Sequence, residues 1–364
     1  MKGARIAVVD PASFVLPFDY YLVKALAAEG ITVDFFCSRT TANIELVGQL
    51  KLARHIRVFE YYVSSTVAGR LSGVFSYLRM CLGILRRIQR YDAVILQYSI
   101  LPALELLAFC PVRRKLWLQV HEDSGLAGRR HAPFLLKVLK RMSRRLLFAS
   151  PTVMAQHLRS YPDSPERLSL TRHGVLPVFP EDLSIAVKGH PHPCKVLVFW
   201  GLVKHYKGVD LFAQLADSGM FKEFALEVHG KWHPSTLRTK QALMEKGILV
   251  NDFFLTPADL RRLLLRPVLF ILPYRSASQS GVLYTLLNYG CVFVSTDVGD
   301  NGQFLRDRGL GDLLFDRTDI GSAYRAVHYA YEHFSDLQNH LLKIRQEFDW
   351  ADSAKTVARC LEEQ

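Results

Sequence analysis

Two segments hold the residue types that a phosphate requires. In 196–208, VLVFWGLVKHYKG, an apolar run ends at Gly201, and Lys204 and Lys207 stand before Gly208 and an amphipathic stretch. Lysines at the carboxyl end of a strand, beside the positive end of a helix dipole, suit a phosphate group. The segment is not a P-loop, because G-x-x-x-x-G-K-[ST] is absent. Taken alone, it fits two solvated surface lysines better. In 271–290, ILPYRSASQSGVLYTLLNYG, an apolar run ends at Pro273 and a small polar loop, 276–281, opens an apolar helix. Ser280 suits the N-cap, and the Gly281 and Val282 amides are first-turn donors with no partner inside the helix. Most such loops are only capped helices. Two of them in one α/β half favour a phosphate site.

Candidates for proton transfer lie in the first half. The HED run at 121–123 places His121 at a strand end, with Glu122 and Asp123 following, and Asp19 falls after the first strand on the same predicted edge. A carboxylate there could serve as a general base. The bland alternatives are a satisfied core histidine and a hydrated loop. His190 and His192 lie in a Pro-rich stretch with no third ligand in sight, and no D-x-D pair occurs. The sequence therefore predicts no metal and no cofactor.

These segments need elements to hold them. Strands are expected at 5–9, 32–36, 57–62, 93–97, 115–121 and 146–149, with helices at 17–29, 69–90 and 133–147 between them. The stretch 175–194 holds four prolines and Gly189 and reads as a linker. The alternation then restarts: strands at 195–200, 224–229, 268–272 and 292–296, helices at 209–216, 234–246, 258–265 and 281–289, and a helical tail from 319. Strands separated by helices imply parallel sheets. The expectation is an α/β chain of two Rossmann-like doubly wound domains, 1–174 and 195–364, facing across a cleft, with ligands beyond the carboxyl ends of the strands.

The chain has 364 residues and a net charge of +12. Residues 1–180 hold 25 Lys and Arg against 12 Asp and Glu, whereas residues 181–364 hold 21 against 22. The excess is confined to the first half and calls for an anionic partner, a membrane surface or nucleic acid. No helix-turn-helix, RNP-like or zinc-finger signature supports nucleic acid. No apolar run approaches the roughly 20 residues of a membrane span. MKGARIAVVDPAS breaks at Asp10-Pro11 and reads as a first strand rather than a signal peptide. Six scattered cysteines without a C-x-x-C pair fit a cytoplasmic protein. In the basic stretches 68–90 and 129–147, the apolar stripes are expected to pack on the sheet.

Beyond these physical readings, VFWGLVKHYKGVDLF resembles the F-G-x-[IV]-[RK]-x-Y-K-G segment of GT-B glycosyltransferases of family 4, the group 1 glycosyl transferases. LPYRSASQSGVLYTLLNYGCVFVSTDVGD resembles their P-Y-R-x-[AS]-[ST]-Q-S-G-V-L…T-D-V-G segment, in the Q-S-G-V subset. Residues 251–265 and FDWADSAKTVARCL resemble further stretches of that donor domain. PFDYYLVKALAAEGITV, ILQYSILPALE and LWLQVHED resemble the acceptor domain more weakly.

The resemblance implies transfer of a hexose from a nucleotide-diphosphate sugar, GDP-mannose or a UDP-sugar, to an acceptor hydroxyl. Lys204 and Lys207 would hold the diphosphate, helped by Ser280, Gly281 and Val282. Asp252, Phe253, Phe254 and Tyr274 would lie near the base, and Gly201, His229, Gly230, Ser278, Gln279 and Thr285 complete the donor set. His121 matches the histidine that contacts the transferred sugar, and Asp19, Arg172 and His173 stand on the acceptor side. Ala277 and Thr285 occupy the places where many members carry paired glutamates, and Asp10-Pro11-Ala12-Ser13 replaces their Gly-Gly. A retaining, metal-independent reaction is implied, with a lipid-linked oligosaccharide acceptor of surface polysaccharide synthesis at the inner face of the membrane. A nucleotide-sugar epimerase and a basic nucleic-acid-binding protein are the alternatives.

Overall fold

The computed structural model describes residues 3–13, 15–38, 44–61, 67–121, 132–187, 189, 192–277 and 280–363. Thirteen strands form two sheets, each wholly parallel in its pairing. The first contains β1 (Arg5–Asp10), β2 (Thr32–Ser38), β3 (Ile56–Tyr61), β4 (Ala93–Leu96), β5 (Leu116–Val120), β6 (Arg145–Phe148) and β7 (Leu168–Leu170), in the order β3-β2-β1-β4-β5-β6-β7. The second contains β8 (Val196–Trp200), β9 (Ala225–His229), β10 (Leu249–Asn251), β11 (Leu269–Leu272), β12 (Phe293–Thr296) and β13 (Leu314–Phe315), in the order β10-β9-β8-β11-β12-β13.

The expected α/β architecture of two doubly wound domains is present. Its physical cause is visible in the strands. Ile6 to Val9 and Leu269 to Leu272 are buried along their whole length, as in a sheet covered on both faces. Each strand order reverses once, between β1 and β4 and between β8 and β11. At such a switch point the connections leave in opposite directions and open a crevice beyond the strand ends.

The chain divides into two compact units, 3–174 with 349–363, and 175–348. Two sequence expectations change here. The 175–194 stretch, expected as a linker, belongs to the second unit. The Val175 amide bonds the Phe348 carbonyl, Leu176 bonds that of Tyr284, and Asp182 is buried against Arg261 and Tyr289. The tail also divides: the last helix, Trp350–Glu362, returns to the first unit and lays Trp350 against Phe18 and Tyr21 of the helix Leu16–Ala28. Proline content reported stiffness at 175–194, which a packed strap and a free linker share. The helix expected at 133–147 ends at Met142, because Arg145 already pairs in β6.

Candidate functional site

The two loops singled out by residue type follow β8 and β11, the pair that flanks the second switch point. After β8 the chain turns at Gly201, runs through a short 3-10 turn, His205–Lys207, and enters the helix Val209–Asp217 through Gly208. Gly208 has φ +74°, and a Cβ there would collide with the Pro273 carbonyl of the second loop. Gly230, at the end of β9, has φ +140°, and a Cβ there would strike the Gly201 carbonyl. Only glycine permits that backbone and that approach. The Arg275 amide also bonds the Tyr206 carbonyl at 2.8 Å, and Arg275 pairs with Asp210. The loops are thus one preassembled unit.

Lys207 is almost fully buried, and its Nζ lies 5.3 Å from the centre of the Tyr274 ring. A Cβ built on Gly201 would sit 3.1 Å from that Nζ and 3.3 Å from Val282 Cγ2, so the ammonium lies between the two loops. Among the described residues, neither Lys204 nor Lys207 has an acidic partner, whereas Lys195, Lys231, Lys240 and Lys246 all do. A buried ammonium without a counter-ion favours an anion.

Ser280 stands at the N-cap of the helix Gly281–Asn288, 5% exposed, yet among the described residues its hydroxyl has no hydrogen-bond partner. The buried Tyr274 hydroxyl also has none among them. Unsatisfied buried hydroxyls are uncommon and ask for a partner. Beside them the first amides of the helix Gly281–Asn288 point out of its end. Thr285 is not part of this set, since its hydroxyl donates to the Gly281 carbonyl at 3.0 Å. Ser278 and Gln279 lie outside the described residues.

A cavity of about 620 Å³ opens beside β9 and β10, lined by His229, Asn251, Phe253, Leu255, Arg262 and Arg266 among others. His229 donates Nε2–H to Glu227 at 2.8 Å, which leaves Nδ1 to accept from the Asn251 amide at 2.9 Å. Arg266 grips Glu227 through two bonds of 2.8 and 2.9 Å. Burial opposes the charge on Glu227, but the His229 and Arg266 hydrogen bonds outweigh it and lower the carboxyl to about 2. Sequence reasoning missed Glu227, Asn251 and Arg266. The first two alternate with apolar neighbours in VH and VN strand ends, a signal with no chemistry of its own. Phe253 and Phe254 are exposed. Asp252 is instead a fastener: it accepts the Trp232 amide at 3.0 Å and pairs with Lys240 and Lys231, which hold it well below the usual carboxylate range.

In the first unit, His121 ends β5 with its ring edge-on to Phe18, 5.1 Å between centroids. Phe18 also meets His173 at 5.1 Å and Trp350 at 4.9 Å. His173 is buried and donates Nδ1–H to the Gly174 carbonyl at 2.5 Å. Burial lowers its pKa to about 3, against that hydrogen bond, and His121 adds to the lowering, so the ring is neutral. Asp19 is fully buried, and desolvation with the neighbouring Asp10 carboxylate raises its pKa well above the usual range. Burial and a neighbouring like charge both oppose its ionisation, which disfavours Asp19 as the general base. Arg172 is exposed, and its carbonyl accepts the Ser353 hydroxyl. Glu122, Asp123 and His190 lie outside the described residues. Gln97, at the end of β4, is fully buried with both amide atoms unpartnered, a feature that its sequence context did not flag. Among the described residues, no three His, Cys, Asp or Glu side chains converge on one point.

Residues 194–333 match the family model of the glycosyl transferases group 1, which covers both loops and the cavity. No curated protein matches the chain by sequence. Solved structures share the fold over nearly the whole chain. HepE of Anabaena, in complex with UDP, is 14% identical, with 100% of each chain covered and a TM-score of 0.70. Sucrose-phosphate synthase from Thermosynechococcus elongatus is 15% identical, with 99% of this chain and 98% of that one covered and a TM-score of 0.70. WaaG, a glycosyltransferase involved in lipopolysaccharide biosynthesis, is 14% identical, with 98% and 99% covered and a TM-score of 0.65. The fold is GT-B, and the sequence match to the group 1 glycosyl transferases lies within the second unit.

Proposed function

We propose that the protein transfers a hexose from a nucleotide-diphosphate sugar to a membrane-associated, lipid-linked glycan acceptor, without a metal and with retention of configuration. The observation that carries this reading is the buried Lys207 ammonium, which among the described residues has no acidic partner, together with the buried Ser280 hydroxyl that none of them bonds, on a glycine-tight pair of loops. Together they form a diphosphate cradle whose charge is uncompensated until the donor binds. Lys204, Gly201, Gly281 and Val282 complete the cradle. The cavity at His229, Asn251 and Phe253 takes the nucleobase, as the UDP bound by the HepE relative makes chemically reasonable.

The chemistry asked of these residues is electrostatic. As the sugar leaves, negative charge grows on the departing phosphate, and Lys207 with the helix amides stabilises it in place. The departing phosphate accepts the acceptor's proton, so no side-chain base is needed, in keeping with the raised pKa of the buried Asp19. His121 and the Phe18–His173–Trp350 cluster line the acceptor side. GDP-mannose and UDP-sugars are the candidate donors. The protein works on the cytoplasmic side, held at the inner membrane face by its basic first unit, and contributes to surface polysaccharide synthesis.

A thermal-shift panel of UDP, GDP, ADP and CMP tests the reading directly. A true donor nucleotide at a hundred times its Kd stabilises the fold by about 2.7 kcal/mol. A panel in which no nucleotide raises Tm refutes the cradle.

A further inference from the structure

We propose that the outer face of three helices in the first unit, Val67–Leu85, Pro102–Phe109 and Ala132–Met142, is a docking surface for an anionic lipid bilayer. The helices are neighbours in sequence order, Val67–Leu85 packing on Pro102–Phe109 and that helix on Ala132–Met142.

The sequence pattern predicts that the apolar stripes of these helices pack on the sheet, and only part of them does. Tyr77, Met80, Cys81 and Ile84 are buried. Phe75, Leu78 and Leu82, spaced one helical turn apart, are 70%, 38% and 45% exposed. Leu107 is 78% exposed on the second helix, and Phe134 and Val138 are 68% and 37% exposed on the third. The first and third helices therefore have a second apolar stripe that faces outward, and the second helix adds Leu107. Exposed arginines and lysines flank it: Arg79 and Arg86 beside the first stripe, Lys137 and Arg141 beside the last.

The charge selects the occupant. Residues 67–145 hold 15 Lys and Arg against four Asp and Glu. Of those four, Glu105 is buried beneath the face, hydrogen-bonded to Tyr77 and to the Leu101 amide, and Asp92 accepts the Arg5 amide. A second copy of the chain would bring like charge against like charge. Nucleic acid would leave the aliphatic tips in water. An anionic bilayer accepts both, since the apolar tips enter the acyl boundary while the cations meet the headgroups. Among the described residues no helix is long and apolar enough to cross a membrane, so the contact is with the surface.

The purpose of this face, carrying the active site to a lipid-linked acceptor, rests on the proposed function; its test does not. Flotation compares the full-length protein on phosphatidylcholine vesicles with and without phosphatidylglycerol, at low salt. Wild type should float only with the anionic vesicles. F75S/L107S/F134S and R79E/R86E/K137E should each weaken that binding by about tenfold or more, with the nucleotide-induced thermal shift unchanged. F75W should show a blue-shifted emission on vesicles. Flotation of the triple serine variant at wild-type affinity, an unshifted F75W emission, or a dimer that the serine variant dissociates would each overturn the proposal. Vesicle binding without any nucleotide-induced shift would support docking and remove only the transferase reading.

Discussion

The two switch points of this chain are built differently. The one between β8 and β11 is collared by backbone: Gly208 and Gly230 hold neighbouring loops too close for any Cβ, and the Lys207 ammonium between the two lysine- and serine-bearing loops has no acidic partner among the described residues. The one between β1 and β4 has no such collar. It is flanked by buried groups whose charge burial disfavours, Asp19 with a raised pKa and His173 with a lowered one, and by the buried Gln97 amide, which no described residue bonds. The first arrangement fits a ligand that never changes, a diphosphate. The second disfavours charge on the side chains around it.

Experiments can break this contrast at four strengths. The largest effect should come from Lys207→Ala, which removes the buried cation and should slow sugar transfer, read as nucleoside diphosphate formed, by about 10²–10³-fold at an unchanged Tm. Near-normal turnover would end the cradle reading. Next, Gly208→Ala should cost about 3 kcal/mol in urea unfolding, because the methyl group meets the Pro273 carbonyl on a left-handed backbone. A cost below 1 kcal/mol would mean that the loops yield and are not a fixed pair.

Asp182→Ala should lose about 2–3 kcal/mol, since it strands the Tyr289 hydroxyl and the Arg261 guanidinium that hold the 175–194 strap. If the strap were a free linker, the change would be silent. The smallest effects are those of pH in the first unit. His173 titrates near 6.5 unfolded and about 3 folded, so its contribution is complete above pH 6.5 and is lost as pH falls toward 3. His173→Gln should flatten that part of the stability curve. Asp19 runs the other way: its raised pKa favours the fold at low pH and costs stability as pH rises. Asp19→Asn should therefore raise Tm at pH 8 and leave it unchanged at pH 4.

Much of the second unit was legible because its chemistry is local. Lys207, Ser280 and Gly281 each follow a strand within one short loop, and it is the pair of such loops in one half that reports anion binding. The network around His229 was not legible, because Glu227, Asn251 and Arg266 come from three separate elements and look like ordinary strand and helix residues. Asp252 misled in the opposite direction. Its neighbours Phe253 and Phe254 marked a ligand loop, yet Lys231 and Lys240 hold its carboxylate. The apolar stripes of residues 68–90 misled for a related reason: periodicity finds a helix but not which of two apolar faces meets the sheet.

The sequence by itself determined the alternation of strands and helices, two parallel sheets, and the two loops with phosphate chemistry. Each of these depends on hydrophobic period and residue type over a few positions. Only the tertiary structure decided that these two loops flank one switch point, with Lys207 between them. It alone returned the last helix to the first unit, left Lys204 and Lys207 without acids, and turned Phe75, Leu107 and Phe134 outward. Those outcomes depend on which distant atoms meet, and in a doubly wound chain the strand order, not the order of residues, sets that.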